Sequence, residues 1–368
     1  MDADDVVRLR LRRQQLREPF AATAEDALQN LLAVQSQEFP YARWSLAQRT
    51  VGGSAAGIEQ AVSEGTVLRT HILRPTWHFV HRDDLRWLLA LSAPRLHQGN
   101  AGMYRRTGID AANATRSSDV LAGAVAGGAH KTREQLAAEL RRAGFGAEGL
   151  ELAYRIMFAE AGGVLVSGSP VRSAGGALKQ TYALFDERVP SAPAGLMDRT
   201  RALAELARRY FTSRGPATEK DCADWSGLTR SDVRTGLHLA RETAPGALET
   251  ATVDGVACYF SPAPDAGGGA SGPGRLDLIQ CYDEYVMGYW KTRHFLGGPA
   301  PFVPVAGEPL HLVLRNGRLA GAWRHNLVRG RCELDIRLDS DHHPDDEHEI
   351  SRAVAAYGRF LGMPAVRL

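Results

Sequence analysis

The stretch "TEKDCADWSGLTRSDVRTGLHLA", Thr218 to Ala240, announces two helix starts in quick succession. Thr218 is followed three residues later by Asp221, and Thr229 by Asp232. In this spacing the hydroxyl accepts an N–H of the first helical turn, and the carboxylate reaches back to the N–H of the cap. Ser226-Gly227-Leu228 supplies the turn between them, because glycine tolerates the left-handed backbone that ends a helix. Two short helices joined this way make a helix-turn-helix. Just downstream, "ETATV" and "VACYF" flank Asp254-Gly255, the dipeptide favoured in two-residue hairpin turns.

The same order recurs upstream. "KTREQLAAELRRAG" has Thr132 as cap, Gln135 completing the box and Gly144 as stop. It is followed by a second helix, "GLELAYRIMFAEAGG", the strand "VLVSG", a loop with Arg172 and Lys179, and the strand "TYALF". Nearer the N-terminus, "TAEDALQNLLAVQ" begins at Thr23 with Asp26 in the box position. Leu28, Leu31, Leu32 and Gln35 share a face of that helix, and Phe39-Pro40 sets an extended backbone beyond it. "TVLRTHILRPTWHFVHRDDLRWLLAL" reads as strand, tight turn at Arg74-Pro75, strand, and a helix from about Asp83. The expectation is an α+β chain with three tandem winged helix-turn-helix units, residues 1–115, 116–195 and 196–262. A β-rich region, 263–368, completes it. Its hairpins turn at Asn316-Gly317 and within "AGAWRHNLVRGRCELDI".

Composition narrows the function classes. Hydrophobic residues make up 44% and charged residues 23% of the 368, as in an ordered soluble protein. No apolar run approaches the roughly 18 residues of a membrane span. "MDADDVVRLRLRRQQ" reads as an amphipathic helix rather than a signal peptide, so a cytoplasmic protein without membrane association is expected. Cys222, Cys258, Cys281 and Cys332 are far apart, which predicts buried reduced thiols and no zinc site. "HHPDDEHE" matches no metal spacing and reads as a solvated acidic loop. "SPAPDAGGGASGPGR" lacks the phosphate-loop pattern and reads as a flexible connector. No G-x-S-x-G is present. Asp283 and Glu284 are adjacent, so their side chains diverge, and a structural role is expected for both. No cofactor and no metal are implied, nor an obligate protein partner.

Charge is unevenly spread. The formal net charge is +2, yet residues 333–349 hold eight acids against Arg337. The preceding 332 residues carry 40 bases and 34 acids, a net of +6. Repeated helix-turn-helix units with basic wings point to duplex nucleic acid. The candidate contacts are Arg74 at a wing tip, Lys131 and Arg133 at a helix start, Lys179, and the late hairpin with Arg324, His325, Arg329 and Arg331. Basic wings mostly touch phosphates, which gives affinity rather than sequence choice.

Within "LLAVQSQEFPYARW", Gln35 and Gln37 are separated by Ser36. A bare Q-x-Q arises easily by chance. Its setting gives it weight: if the helix ends near Gln35, an extended step places residues i and i+2 on one side. Two amides then converge beside a basic groove.

"AVQSQEFPYARWSLAQR", "HILRPTWHFV", "DWSGLT", "YDEYVMGY" and "GAWRH", in this order, resemble the winged-helix DNA glycosylases of the AlkZ/YcaQ type. The resemblance covers roughly residues 24–337. It implies three winged helices around a basic concave surface fitting duplex DNA, and it adds Arg43 and His78, inside two of these motifs, to the DNA-facing set. It implies excision of alkylated bases, with Gln35 and Gln37 as catalytic pair. The two-glutamine branch resembles enzymes that protect antibiotic producers from their own DNA-alkylating product and unhook crosslinks between N7-alkylated guanines. Ser36 departs from the apolar residue usual between the glutamines. The family's cleft hairpin corresponds best to Arg324–Arg331, with the Asn316-Gly317 turn as second choice.

Neutral amides suit this chemistry. Glycoside hydrolysis ordinarily needs an acid for the leaving group and a base for water. An N7-alkylated guanine is already cationic and leaves neutral, so what remains is to place a water and stabilise a cationic sugar. A crosslinked base cannot rotate into a deep pocket, so a shallow cleft without an aromatic pocket is expected. The rival readings are a non-enzymatic winged-helix transcriptional regulator and a protein that sequesters the alkylating compound.

Overall fold

Local cap chemistry dictates the Thr218–Ala240 stretch. In the computed structural model, which describes residues 1–173, 176, 178–191, 197–262, 274–297, 311–339 and 345–368, helices Glu219–Ser226 and Arg230–Thr243 each begin with a complete capping box. Gly227 turns between them at φ +70°. Strands Glu249–Val253 and Val256–Phe260 follow as an antiparallel hairpin, with Asp254 and Gly255 both at positive φ, as a type I′ turn requires. Thr23 and Thr132 likewise carry complete boxes for Ala24–Leu31 and Arg133–Arg142.

Three segments share one topology. In the first, helix Ala24–Leu31 leads to strand Val34–Gln35, helices Phe39–Ala47 and Ala55–Glu64, and strands Val67–His71 and Trp77–His81. The short first strand pairs with the last, and the last with the middle one. In the second, Lys131–Thr132, Leu165–Ser167 and Thr181–Leu184 repeat that strand order around helices Arg133–Arg142 and Gly149–Ala161. An exposed hairpin, Val171–Arg172 with Leu178–Lys179, is inserted before the last strand. In the third, the first strand shrinks to a bridge from Ala217 to Tyr259.

Two local expectations are corrected here. Helix Ala24–Leu31 stops short of Gln35: Leu32 has φ +66°, and Gln35 lies in a strand, not on a helical face. Phe39-Pro40 does not hold the chain extended. Proline opens helix Phe39–Ala47, where its missing N–H is harmless and its fixed φ already helical.

The β-rich end forms a five-stranded sheet in the order Leu276–Ile279, His311–Arg315, Arg318–Val328, Arg331–Leu338 and Ala365–Arg367, the last pair parallel. Its Asn316-Gly317 turn has both residues at positive φ. Helix Asp346–Leu361 buries Tyr357 and Phe360 against Trp44, so this sheet shares a core with the first segment. A second core joins Leu32, Leu68 and Leu88 to Leu206, Trp225 and Leu237 of the third segment. All four cysteines are buried and free, as expected. Among the described residues no helix is long and apolar enough to cross a membrane, and no group of His, Cys, Asp and Glu could hold a metal ion. The greater part of the Gly/Pro connector (263–273) lies outside the described residues, as do 342–344 of "HHPDDEHE". The rest of that run is not a solvated loop: residues 346–349 form the first turn of helix Asp346–Leu361, and Asp346 is buried 2.6 Å from Arg315.

Beyond the core they share, a close backbone contact joins the first and third segments. The hairpin tip at Leu73 rests on the turn at Gly227, where a β-carbon would stand 2.4 Å from the Leu73 carbonyl oxygen. Arg95 donates to the Gly227 carbonyl from the other side. Arg74 is therefore half-buried, not projected into solvent at a wing tip. Gly227→Ala forces both a clash and a left-handed alanine, and should lower stability by about 1–3 kcal/mol. Urea unfolding checks this; an unchanged midpoint shows that the tip does not bear on the turn.

Candidate active site

The site begins where the first helix stops. The last carbonyls of a helix lack partners within it. Arg214, fully buried, takes them: it donates to the carbonyl of Leu31 at 2.8 Å and to that of Ala33 at 3.0 Å. Its counter-ion is Glu284, also fully buried, at 2.6 Å. The same carboxylate accepts from Trp225 Nε1 at 2.7 Å and from the backbone N–H of Gln35 at 2.8 Å. Three donors thus saturate Glu284 and fix the Gln35 backbone. Gln280 donates to the Gln35 carbonyl at 3.4 Å. Asp283 points elsewhere, onto Arg49 at 2.6 Å and Ser45 at 2.6 Å. The adjacent acids diverge, as their spacing requires.

Gln35 is 3% exposed and faces His78 across the strand pair. Arg74 Nη2 donates to its Oε1 at 2.9 Å, and the same nitrogen lies 3.3 Å from His78 Nε2. A guanidinium only donates, so the amide oxygen must face it and His78 Nε2 must carry a lone pair. His78 Nδ1 consequently holds the proton, which it donates to the Thr76 carbonyl at 2.9 Å. Burial and the neighbouring Arg74 both push the His78 pKa well below its usual value, in keeping with a neutral ring. Arg74 is clamped between two acceptors and orients the Gln35 amide.

Gln37 is exposed, and its Oε1 accepts from the Trp77 N–H at 3.4 Å. Both amide oxygens are thus engaged by the 74–77 hairpin. Ser36 between them is fully buried, and its hydroxyl has no partner among the described residues. Arg69 holds the loop from below, donating to the Ser36 carbonyl at 2.8 and 3.0 Å and to that of Gln37 at 3.3 Å. Its guanidinium lies 4.3 Å from the Trp77 ring centroid. The nearest unsaturated carboxylate is Glu38, which burial raises in pKa. His311 accepts the Cys281 N–H on Nδ1, so its Nε2 bears the proton and faces Glu38 at 3.5 Å. Although this pair is close enough to suggest an ion pair, His311 is neutral: burial holds it at about 3, and a second proton on Nδ1 would meet the Cys281 N–H.

A cavity of about 370 Å³ opens beside Gln37, between the first and second segments. Gln35 does not line it. Phe39 and Tyr41 do, so aromatic side chains stand in its wall where none were expected.

The other sequence-derived residues are scattered. Arg43 is buried and ion-paired to Glu59. Lys131 pairs with Glu139 at 3.2 Å, and Arg133 donates to the Gly149 carbonyl at 3.2 Å. Lys179 is exposed and reaches Glu134 at 3.1 Å. On the late hairpin, Arg324 lies 3.4 Å from Asp335, Arg331 lies 2.6 Å from Glu333, and Arg329 is exposed. His325 stacks on Tyr41 and bonds the Tyr357 hydroxyl at 2.6 Å; burial lowers it to about 4, so it is no surface cation. Sequence reasoning missed the supporting group, Arg69, Arg214 and Trp225; it read Glu284 as structural without placing it beside Gln35. Only the intact "DWSGLT" and "YDEYVMGY" runs, which hold Trp225 and Glu284, hinted at it.

A model of the family described as "DNA glycosylase AlkZ-like" matches residues 28–360. No curated protein sequence matches the chain. Among solved structures, the Streptomyces sahachiroi DNA glycosylase AlkZ superposes with a TM-score of 0.75 over 100% of both chains, at 18% identity. That likeness is one of fold.

The neutral histidines set an acid limit. An unfolded imidazole titrates near 6.5, while the folded chain refuses that proton on His311. Stability is therefore complete above about pH 7 and falls as pH drops through 6.5 toward the folded value. At pH 5, His311 should account for about 2 kcal/mol of that loss. Urea midpoints of the wild type and His311→Gln at pH 7.5 and 5.0 check this. Identical pH dependence in the two proteins shows that the folded His311 is charged.

Proposed function

The chain belongs to the AlkZ-like DNA glycosylase family, and from that premise we propose that it hydrolyses the N-glycosidic bond of N7-alkylated, cationic purines in duplex DNA, including crosslinked guanines. The observation that carries this reading is the Arg74–His78 clamp. It turns the Gln35 amide oxygen to a fixed direction beside the exposed Gln37, and Glu284, the buried carboxylate that accepts the Gln35 N–H, is already engaged by three donors. The site offers two oriented amides, and the one carboxylate beside them that lacks a strong donor among the described residues, Glu38, faces the neutral His311 at 3.5 Å.

The chemistry follows from the substrate's charge. The C1′–N9 bond breaks, and its electron pair enters the cationic imidazole ring, so the base leaves neutral and needs no proton. Gln35 and Gln37 place a water below C1′, and their oxygens stabilise the positive charge developing on the sugar. Water oxygen bonds to C1′ and its proton passes to solvent. Amides form no Schiff base with the sugar, so the product is an intact abasic site and the enzyme is monofunctional.

We read the three segments sharing one strand order as winged helices, residues 1–115, 116–195 and 196–262, with 263–368 as the β-rich region. Lys131, Arg133, Lys179, Arg324, Arg329 and Arg331 are the candidate phosphate contacts of a basic cleft. Four of them, Lys131, Lys179, Arg324 and Arg331, now hold acidic neighbours, so DNA must exchange those partners. Arg43, His78 and His325 act from within the protein. The two-glutamine motif supports a role in self-resistance of a producer of a DNA-alkylating compound, acting in the cytoplasm. The family membership and the clamp favour this over a regulator or a sequestering protein.

Gln35→Ala and Gln37→Ala should each slow single-turnover release of 7-methylguanine by about 10²–10³ while DNA affinity is kept. Wild-type rates in both variants would falsify the assignment. Arg74→Met separates clamp from phosphate contact. It should lower the rate constant with an unchanged salt dependence of binding, whereas loss of a phosphate contact reduces the salt slope by about 1.

A further inference from the structure

The cavity beside Gln37 is lined by the loop that carries the glutamine pair and by the second segment's inserted hairpin. Phe39, Tyr41, Val62 and Leu178 give it apolar walls, Gln37 and Gln180 give it neutral polar ones, and Glu38, Arg69 and Lys179 add charge of both signs. Its volume of about 370 Å³ lies in the range of small-molecule sites, which tend to sit where two units meet. Gln180 is the unexplained group. Both Nε2 and Oε1 of its amide are buried without a hydrogen-bond partner among the described residues. A buried amide left in this state is costly to the fold and points to a partner that arrives from outside. The inserted hairpin that brings Leu178 and Gln180 here has no counterpart in the first segment, whose last two strands join directly at the 72–76 turn.

We propose that this cavity is a subsite for the substituent carried on N7 of the damaged guanine: a bulky, largely apolar group bearing a carbonyl or similar acceptor. The proposal rests on the glycosylase reading above and extends it to substrate choice. N7 and N9 belong to one five-membered ring. A base held with its N9–C1′ bond at Gln37 therefore projects its N7 group close by, on the scale of that ring. The aryl part meets Phe39, Val62 and Leu178, and the acceptor meets Gln180 Nε2 once that side chain turns toward the cavity. A methyl group leaves the space almost empty, so the cavity discriminates by size, and Gln180 by the hydrogen bond it otherwise lacks.

The test compares two duplexes, one with a single 7-methylguanine and one with a single 7-phenacylguanine, an aryl ketone on N7. Release is measured in single turnover by wild type, Leu178→Trp and Gln180→Leu. Leu178 is half-exposed on the inserted hairpin, so tryptophan there fills the cavity without disturbing the core. We expect Leu178→Trp to slow phenacylguanine release by about tenfold or more and methylguanine release by no more than about twofold. Gln180→Leu should show the same selective loss and a higher melting temperature, because the orphan amide is gone. Equal losses on both substrates, or none, overturn the subsite. A lower melting temperature for Gln180→Leu overturns the role given to its amide. If wild-type protein releases neither base, the glycosylase reading itself fails and the subsite with it.

Discussion

The buried Arg214–Glu284 pair is the constraint around which the site is arranged. Neither side chain reaches water, and each is held by backbone or side-chain partners from other parts of the chain, though Arg214 Nε has none among the described residues. Such a pair is a poor source of net stability, since apolar residues of similar size often serve a fold as well. Its contribution here is placement. Arg214 ends a helix by taking the carbonyls that the helix itself cannot satisfy, and Glu284 receives the N–H that follows. Between them the chain has no freedom to carry the helix on to Gln35. A charged pair is thus used to position a neutral side chain.

Neutrality extends outward from there. His78 and His311 are held uncharged by burial, and the proton on each ring is fixed by a backbone group: the Thr76 carbonyl for one, the Cys281 N–H for the other. Arg43, Arg49 and Arg74 all have acceptors, so their charge is spent on internal order. On the proposed reading the substrate supplies its own positive charge and has little use for a strong acid nearby. The surroundings of Gln35 accordingly offer direction more than driving force.

The parts of this fold that were legible in the sequence are those governed by neighbours in the chain. Thr23, Thr132, Thr218 and Thr229 cap helices because a hydroxyl and an acid or amide three residues apart need nothing else. Asp254-Gly255 and Asn316-Gly317 turn because their backbone preferences are local. The strands Val34–Gln35 and Lys131–Thr132 were not legible, since two residues carry no periodicity. At Phe39-Pro40 two local rules competed, and the preference of proline for a first helical turn prevailed over its bias against the residue before it. The glutamine pair could be singled out, but its support could not. Arg214 and Glu284 lie far along the chain from Gln35, and no local pattern marks such a meeting. Arg74 was read as a solvent-facing tip because the turn it occupies has that look; the third segment lies against it.

The brevity of the Val34–Gln35 strand has one more consequence. In a long strand many ladder bonds resist slippage, and a displaced copy still finds most of its partners. Here alignment rests on few fastenings, chiefly Ser36 N–H to the Trp77 carbonyl and Gln35 N–H to Glu284. A slip by one residue would exchange the two faces, turning Ser36 toward Arg74 and Gln35 away from it. No intermediate alignment exists between these. The glutamine site is therefore discrete in the manner of a toothed gear: it meshes in one position, and a disturbance either leaves it engaged or disengages it whole.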